Sequence, residues 1–173
     1  MRGPSLESRL NRDYNDILSA LSAEGAEFLI VGAYALSAHG IPRATGDIDI
    51  WVRPTRENAK RVMRALQRFG AALLDLTEQD LATADTVFQM GVAPTRIDVM
   101  TGISGVTFEQ AWPSRVTVAI EGLTVPVIGR DELVRNKAAS GRPKDLADLA
   151  ALGASQASKR PSPSKSVRGK RRR

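Results

Sequence analysis

Asp47-Ile48-Asp49 is the place in this chain where chemistry can start. On a strand, residues two apart point to the same face, so both carboxylates project together while Ile48 and Ile50 enter the opposite layer. Carboxylates held that close repel each other unless a cation lies between them. Oxygen ligands suit a hard divalent ion, magnesium more often than calcium. A third carboxylate, Asp98, lies between Ile97 and Val99 in another apolar run. If that run pairs beside Asp47-Ile48-Asp49, the three acids can hold two magnesium ions. One would bind a triphosphate and its leaving oxygens, and the other would lower the pKa of an attacking hydroxyl. Asp98 is then the candidate base or second-metal ligand; the other reading is an ordinary strand aspartate at a solvated edge. Upstream, Gly32-Ala33 ends an apolar run at the mouth of a helix, where backbone N–H groups and the helix dipole favour phosphate.

The elements that must position these residues follow from periodicity. Phe28 to Val52 reads strand, glycine turn, short helix, loop, strand. Glu27 to Val31 is almost wholly apolar, which predicts a central strand covered on both sides. Gly32 starts the turn, residues 34–38 form the short helix, and the loop 41–46 carries Pro42, Arg43, Thr45 and Gly46. The second strand spans 47–53. Ahead of all this, Ser5 can cap a packing helix through Ala23, with Leu6, Leu10, Tyr14, Ile17 and Leu21 on one face. Pro54 stops the second strand, and Thr55 caps a helix over 56–69 closed by Gly70. A third strand is expected at 72–76, with 77–84 ambiguous. The runs 86–91 and 96–101 read as a hairpin through Ala93-Pro94-Thr95, and 115–120 with 123–127 as another across Glu121-Gly122. A short helix falls at 106–112. Asp131 is expected to cap a helix through Ala139, and a last helix spans 144–152. This order predicts an α+β sandwich: a mixed sheet with helices mainly on one face.

The 173 residues suffice for one domain with a real core. The net charge of +6 is a property of the end of the chain. From Ser155 onward there are eight of the 25 Lys and Arg residues and no acid, which leaves 17 basic against 19 acidic residues elsewhere. The folded part is therefore not a basic nucleic-acid-binding domain on charge alone. The expected division is a domain at 1–153 and a disordered basic tail at 154–173. The absence of cysteine excludes disulfides and a thiolate zinc site and fits a cytoplasmic location. A single histidine, His39, excludes a histidine-rich metal site; packing or capping the short helix is its expected role. The sequence has no apolar run of membrane-spanning length and no leader-like start.

Gly32, then Asp47-Ile48-Asp49-Ile50, then a strand Asp98, resembles the nucleotidyltransferase fold of the minimal, DNA-polymerase-beta-like transferases. The stretch VGAYALSAHGIPRATGDIDI is similar to the AbiEii/AbiGii toxin-like group of bacterial minimal nucleotidyltransferases, and also to antibiotic nucleotidyltransferases of the lincosamide type. Thr45 matches the threonine that precedes the acidic pair in the toxin-like group. LVRNKAASGRPKDLADLAAL resembles that group's closing motif, which carries function onto Lys137 and Asp145, with Arg142 and Lys144 beside them. Lys137 suits a mobile point charge meeting a triphosphate oxygen. Asp145 either acts directly, caps the last helix, or orients Lys137 or Arg142. Arg43 either touches phosphate or is a solvated loop arginine. Gly32-Ala33 departs from the family's usual Gly-Gly or Gly-Ser.

The resemblance implies a magnesium-dependent transferase that moves a nucleoside monophosphate from an NTP such as ATP to a hydroxyl. Asp47, Asp49 and Asp98 would be metal ligands, Lys137 would join them in catalysis, and Gly32, Ala33, Arg43, Thr45 and Asp145 would lie at the nucleotide. The toxin-like likeness implies an RNA acceptor such as a tRNA end, and an antitoxin partner; the antibiotic-type likeness implies a small drug. An acidic acceptor pocket would favour a cationic drug, a basic groove RNA. The alternative class is a non-catalytic nucleotide- or partner-binding module, which expects Asp98 to stand away from Asp47 and Asp49.

Overall fold

The computed structural model describes residues 6–44, 46–91, 95–120 and 122–158. Thr45, Ser5, Ala93, Pro94, Glu121 and the stretch beyond Ser158 lie outside the described residues, so the expectations placed on them are not addressed. The elements are α1 (Leu6–Ala23), β1 (Phe28–Val31), α2 (Gly32–Ala38), β2 (Ile48–Val52), α3 (Arg56–Phe69), α4 (Glu78–Ala82), β3 (Val87–Met90), β4 (Ile97–Met100), α5 (Phe108–Ala111), β5 (Val116–Ile120), β6 (Leu123–Val127), α6 (Arg130–Ser140) and α7 (Pro143–Ser158).

The strands form one mixed sheet in the order β3-β4-β2-β1-β6-β5, as the α+β expectation requires. Its centre is set by hydrophobicity. All four residues of β1 are buried, as are Ile48, Ile50 and Val52 on the side of β2 opposite the acids. β1 is antiparallel to β2, and β2 is parallel to β4, with Asp49 paired to Asp98. The two expected hairpins are present, β3 with β4 and β5 with β6. Thr55 caps α3 through the Asn58 amide, and buried Asn58 donates to the carbonyls of Glu27 and Arg53, tying the start of β1 to the end of β2. Among the described residues, no helix is long and apolar enough to cross a membrane.

The third strand expected at 72–76 does not form. Gly70 closes α3 in the left-handed conformation, Leu76 N–H donates back to the Leu73 carbonyl, and Thr77 opens α4 with a capping box. Ala, Leu and Asp have little strand preference without a partner, and Leu74 is left 89% exposed at a positive φ. The N-cap of α6 is Gly129, not Asp131, which sits in the first turn where its charge opposes the positive helix end. Pro143 opens α7, as proline suits a first helical position, and the helix runs through Gly153, where the sequence suggested an end.

Candidate active site

Residues paired in register on neighbouring strands leave the sheet on the same face. Asp49 and Asp98 are therefore side by side, and counting back two residues brings Asp47 and Arg96 to that face as well. The Ile48 amide donates to the Arg96 carbonyl at 3.0 Å and fixes the alignment. Three rows result: Asp47 with Arg96, Asp49 with Asp98, and Trp51 with Met100. The structure thus brings together all three expected carboxylates, which the non-catalytic alternative does not anticipate.

Sequence reasoning missed Arg96. Its Nη2 lies 3.3 Å from Asp47 Oδ2 and its Nε 3.1 Å from Asp98 Oδ1, so the chain itself supplies a cation between the acids. The signal was available: Arg96 stands two before Asp98 and so shares its face. Despite that approach, buried Asp98 Oδ1 receives no aligned hydrogen bond. Burial, then the charges of Asp98 and Asp47, push the Asp49 carboxyl up to about 6, against the pull of Lys144 and Lys137. Burial also raises Asp98, with Arg96 opposing. Among the described residues, no three His, Cys, Asp or Glu side chains close on one point as a ready-made metal cage. The donor set still fits a hard divalent cation. It consists of carboxylate oxygens alone, one of them buried without a hydrogen bond, and ionising Asp49 in place calls for added positive charge.

Gly32 is required beside this cluster. Its φ is +68°, and a Cβ there would stand 2.1 Å from Asp49 Oδ2. The absence of a side chain lets the β1–α2 turn press against the acid, with Ala33 next to it in the first turn of α2.

A cavity of about 660 Å³ opens over the acids. Gly32 and Ala33 line one side, and Lys137, Arg142 and Lys144 bring positive charge from α6, the following turn and α7. Lys137 is not the mobile charge expected of it. It is 5% exposed, and its Nζ lies 3.2 Å from Asp145 and 3.0 Å from Asp148. Both carboxylates are fully buried, one helical turn apart on α7. Asp145 does not line the cavity; it accepts from Lys137 Nζ and from Arg142 Nε at 2.8 Å, the orienting role among those expected. Burial would raise its carboxyl, but the bonds from Arg142 and Lys137 outweigh this and lower it. Arg43 does not line the cavity either, because it pairs with Asp148. Asp148 was missed in the sequence, although the Asp145-x-x-Asp148 spacing placed both acids on one helix face. His39 is held by its ring Nε2 at 2.8 Å from the Ile128 carbonyl, a packing role.

A mixed sheet with acids in register on two parallel strands, facing Lys137, Arg142 and Lys144 from α6, the following turn and α7, has the architecture of a nucleotidyltransferase. A Thermotoga maritima protein described as a nucleotidyltransferase superposes with a TM-score of 0.57 at 15% identity, over 84% of this chain and 93% of its own. The antibiotic-resistance factor ANT(2'')-Ia gives 0.57 at 15%, over 87% and 85%. The lincosamide antibiotic adenylyltransferase LnuA, with lincomycin bound, gives 0.51 at 9%, over 83% and 96%. At these identities the likeness is one of fold. No protein of curated function matches the sequence. The family follows from the sequence model of the AbiEii nucleotidyl transferase toxins of type IV toxin–antitoxin systems, which matches residues 16–164. The chain belongs to that family and is a nucleotidyltransferase.

Proposed function

We propose that this chain transfers a nucleoside monophosphate from an NTP to a hydroxyl of RNA, with magnesium held by Asp47, Asp49 and Asp98. The observation that carries this is the pairing of Asp49 with Asp98 on β2 and β4, at the floor of a cavity walled by Lys137, Arg142 and Lys144. Bound metal supplies charge neutralisation at the phosphates and lowers the pKa of the attacking hydroxyl; two ions fit a three-carboxylate set. Gly32 and Ala33 present backbone N–H groups to the phosphates. Lys137, fixed by Asp145 and Asp148, and Arg142 neutralise the charge that gathers on the leaving group. Asp98 takes the proton of the acceptor hydroxyl. The hydroxyl oxygen bonds to the α-phosphorus, the bond from that phosphorus to the bridging oxygen breaks, and pyrophosphate leaves.

RNA is favoured over a cationic drug by the charge of the cavity. Its three acids are those of the metal cluster, while Arg96, Arg142 and Lys144 add positive charge around them. We assign the transfer unit to the chain through Ser158, where α7 ends, five residues past the boundary expected at 153, and the eight basic residues beyond it add phosphate contacts. Membership of a toxin–antitoxin family supports a cognate antitoxin as partner and a cytoplasmic site of action, where NTPs and tRNA are found. The test is incubation with each α-labelled NTP, magnesium and total RNA. Label appearing on RNA, and on neither aminoglycosides nor lincosamides, is the expected result; label on a drug alone would overturn the acceptor.

A further inference from the structure

Strand order gives the cavity a direction. Across the sheet the site runs from Gly32 after β1, to Asp49 on β2, to Asp98 on β4, and on to β3. The Gly32 and Ala33 backbone N–H groups, which face the phosphates in the transfer reading, lie at the β1 end. If Asp98 takes the proton of the acceptor hydroxyl, the acceptor approaches from the other end, over β4 and β3. There the lining changes character. Met100 sits two residues beyond Asp98 on the same face, roughly 6.6 Å further along at ~3.3 Å per residue. Its cross-strand partner Val87 is 57% exposed on the edge strand. Ile103 extends this apolar surface from the bend after β4, where a bridge to Val106 holds it. Asn136 of α6 closes the far side, its Nδ2 donating to the Ser104 carbonyl at 3.0 Å. These five lining residues are neutral.

We infer that Val87, Met100 and Ile103 form the platform on which the terminal, unpaired base of the RNA acceptor rests. This rests on the transfer reading above and deepens it. A ribose hydroxyl at Asp98 leaves its own base about one strand repeat away, over an apolar surface. An unstacked base offers an apolar face that every sequence shares. Val87, Met100 and Ile103 offer no strong hydrogen-bonding side-chain group to a base edge, so the platform selects a free single-stranded end in preference to a sequence.

The test uses the full chain, a single-stranded RNA of mixed sequence with a free 3′-hydroxyl and a fluorescent 5′ end, and the variants Val87→Ser, Ile103→Ser and Val87→Ile. Both serine variants should raise the Kd and the KM for RNA at least fivefold, and move the KM for the NTP less than twofold. Val87→Ile should stay within twofold of wild type on every measure. A rise in the KM for the NTP in place of RNA would overturn the inference, since the platform would then take the donor's base. So would RNA constants that do not move, or a wild-type chain that does not bind the RNA. If wild type binds RNA without labelling it, and the Kd still rises in Val87→Ser, the platform stands and the transfer reading falls.

Discussion

Replacing Gly32 by alanine should separate stability from chemistry. The φ of +68° puts an L-residue in the left-handed region, at roughly 1–2 kcal/mol. For a domain of this size that lowers Tm by about 2–8 °C. The new Cβ also falls 2.1 Å from Asp49 Oδ2, closer than real Cβ atoms approach oxygen, so the carboxylate must move by roughly 1 Å. A misplacement of that size can reduce turnover about 100-fold. Gly25 is the control, because it has the same φ of +68° with nothing within 4 Å of its added Cβ. Thermal melts, manganese titration and label transfer on both variants check this. Gly25→Ala should share the loss of stability and keep metal affinity and transfer; Gly32→Ala should lose both. Equal activity in the two variants would refute the claim that Gly32 is glycine for the sake of Asp49.

Three further outcomes follow from the charges. Asp148→Ala removes a fully buried partner of both Lys137 and Arg43, and breaking a buried pair is expected to lower stability by roughly 3 kcal/mol, or about 6–12 °C in Tm, with a raised KM for the NTP. Arg96→Gln should lower the Tm in chelator, since Asp47 and Asp98 lose their counter-charge, and should lower the midpoint of a magnesium titration at least threefold, since the internal cation no longer competes. The raised carboxyl of Asp49 makes metal-free stability fall as pH rises: its share is fully present below about 4, the ordinary range, and is lost as pH passes through about 6. Melts in chelator should therefore show Asp49→Asn level with wild type near pH 4 and more stable than it at pH 7.

Much of this site was legible in the sequence because strand alternation is a strict rule. It placed Asp47 with Asp49, and it made Asp98 their neighbour on the single condition that β2 and β4 pair, which they do. The same rule, applied to Arg96, would have found the internal cation. Helix spacing would have found Asp148, and with it the reason Lys137 is clamped and Arg43 turned away from the cavity. The absent strand at 72–76 was not legible, because an apolar run becomes a strand only if a partner edge is available, which is decided far away in sequence. The extension of α7 past Gly153 belongs to the same class: a glycine lowers helix preference without forbidding it.

The most direct measurement is transfer of label from α-labelled NTPs to cellular RNA in magnesium, by wild type and by Asp98→Asn side by side. The account predicts label on RNA with wild type, and at least a 100-fold loss with the variant while the NTP still binds. RNA labelled equally by both proteins, or by neither, would contradict it.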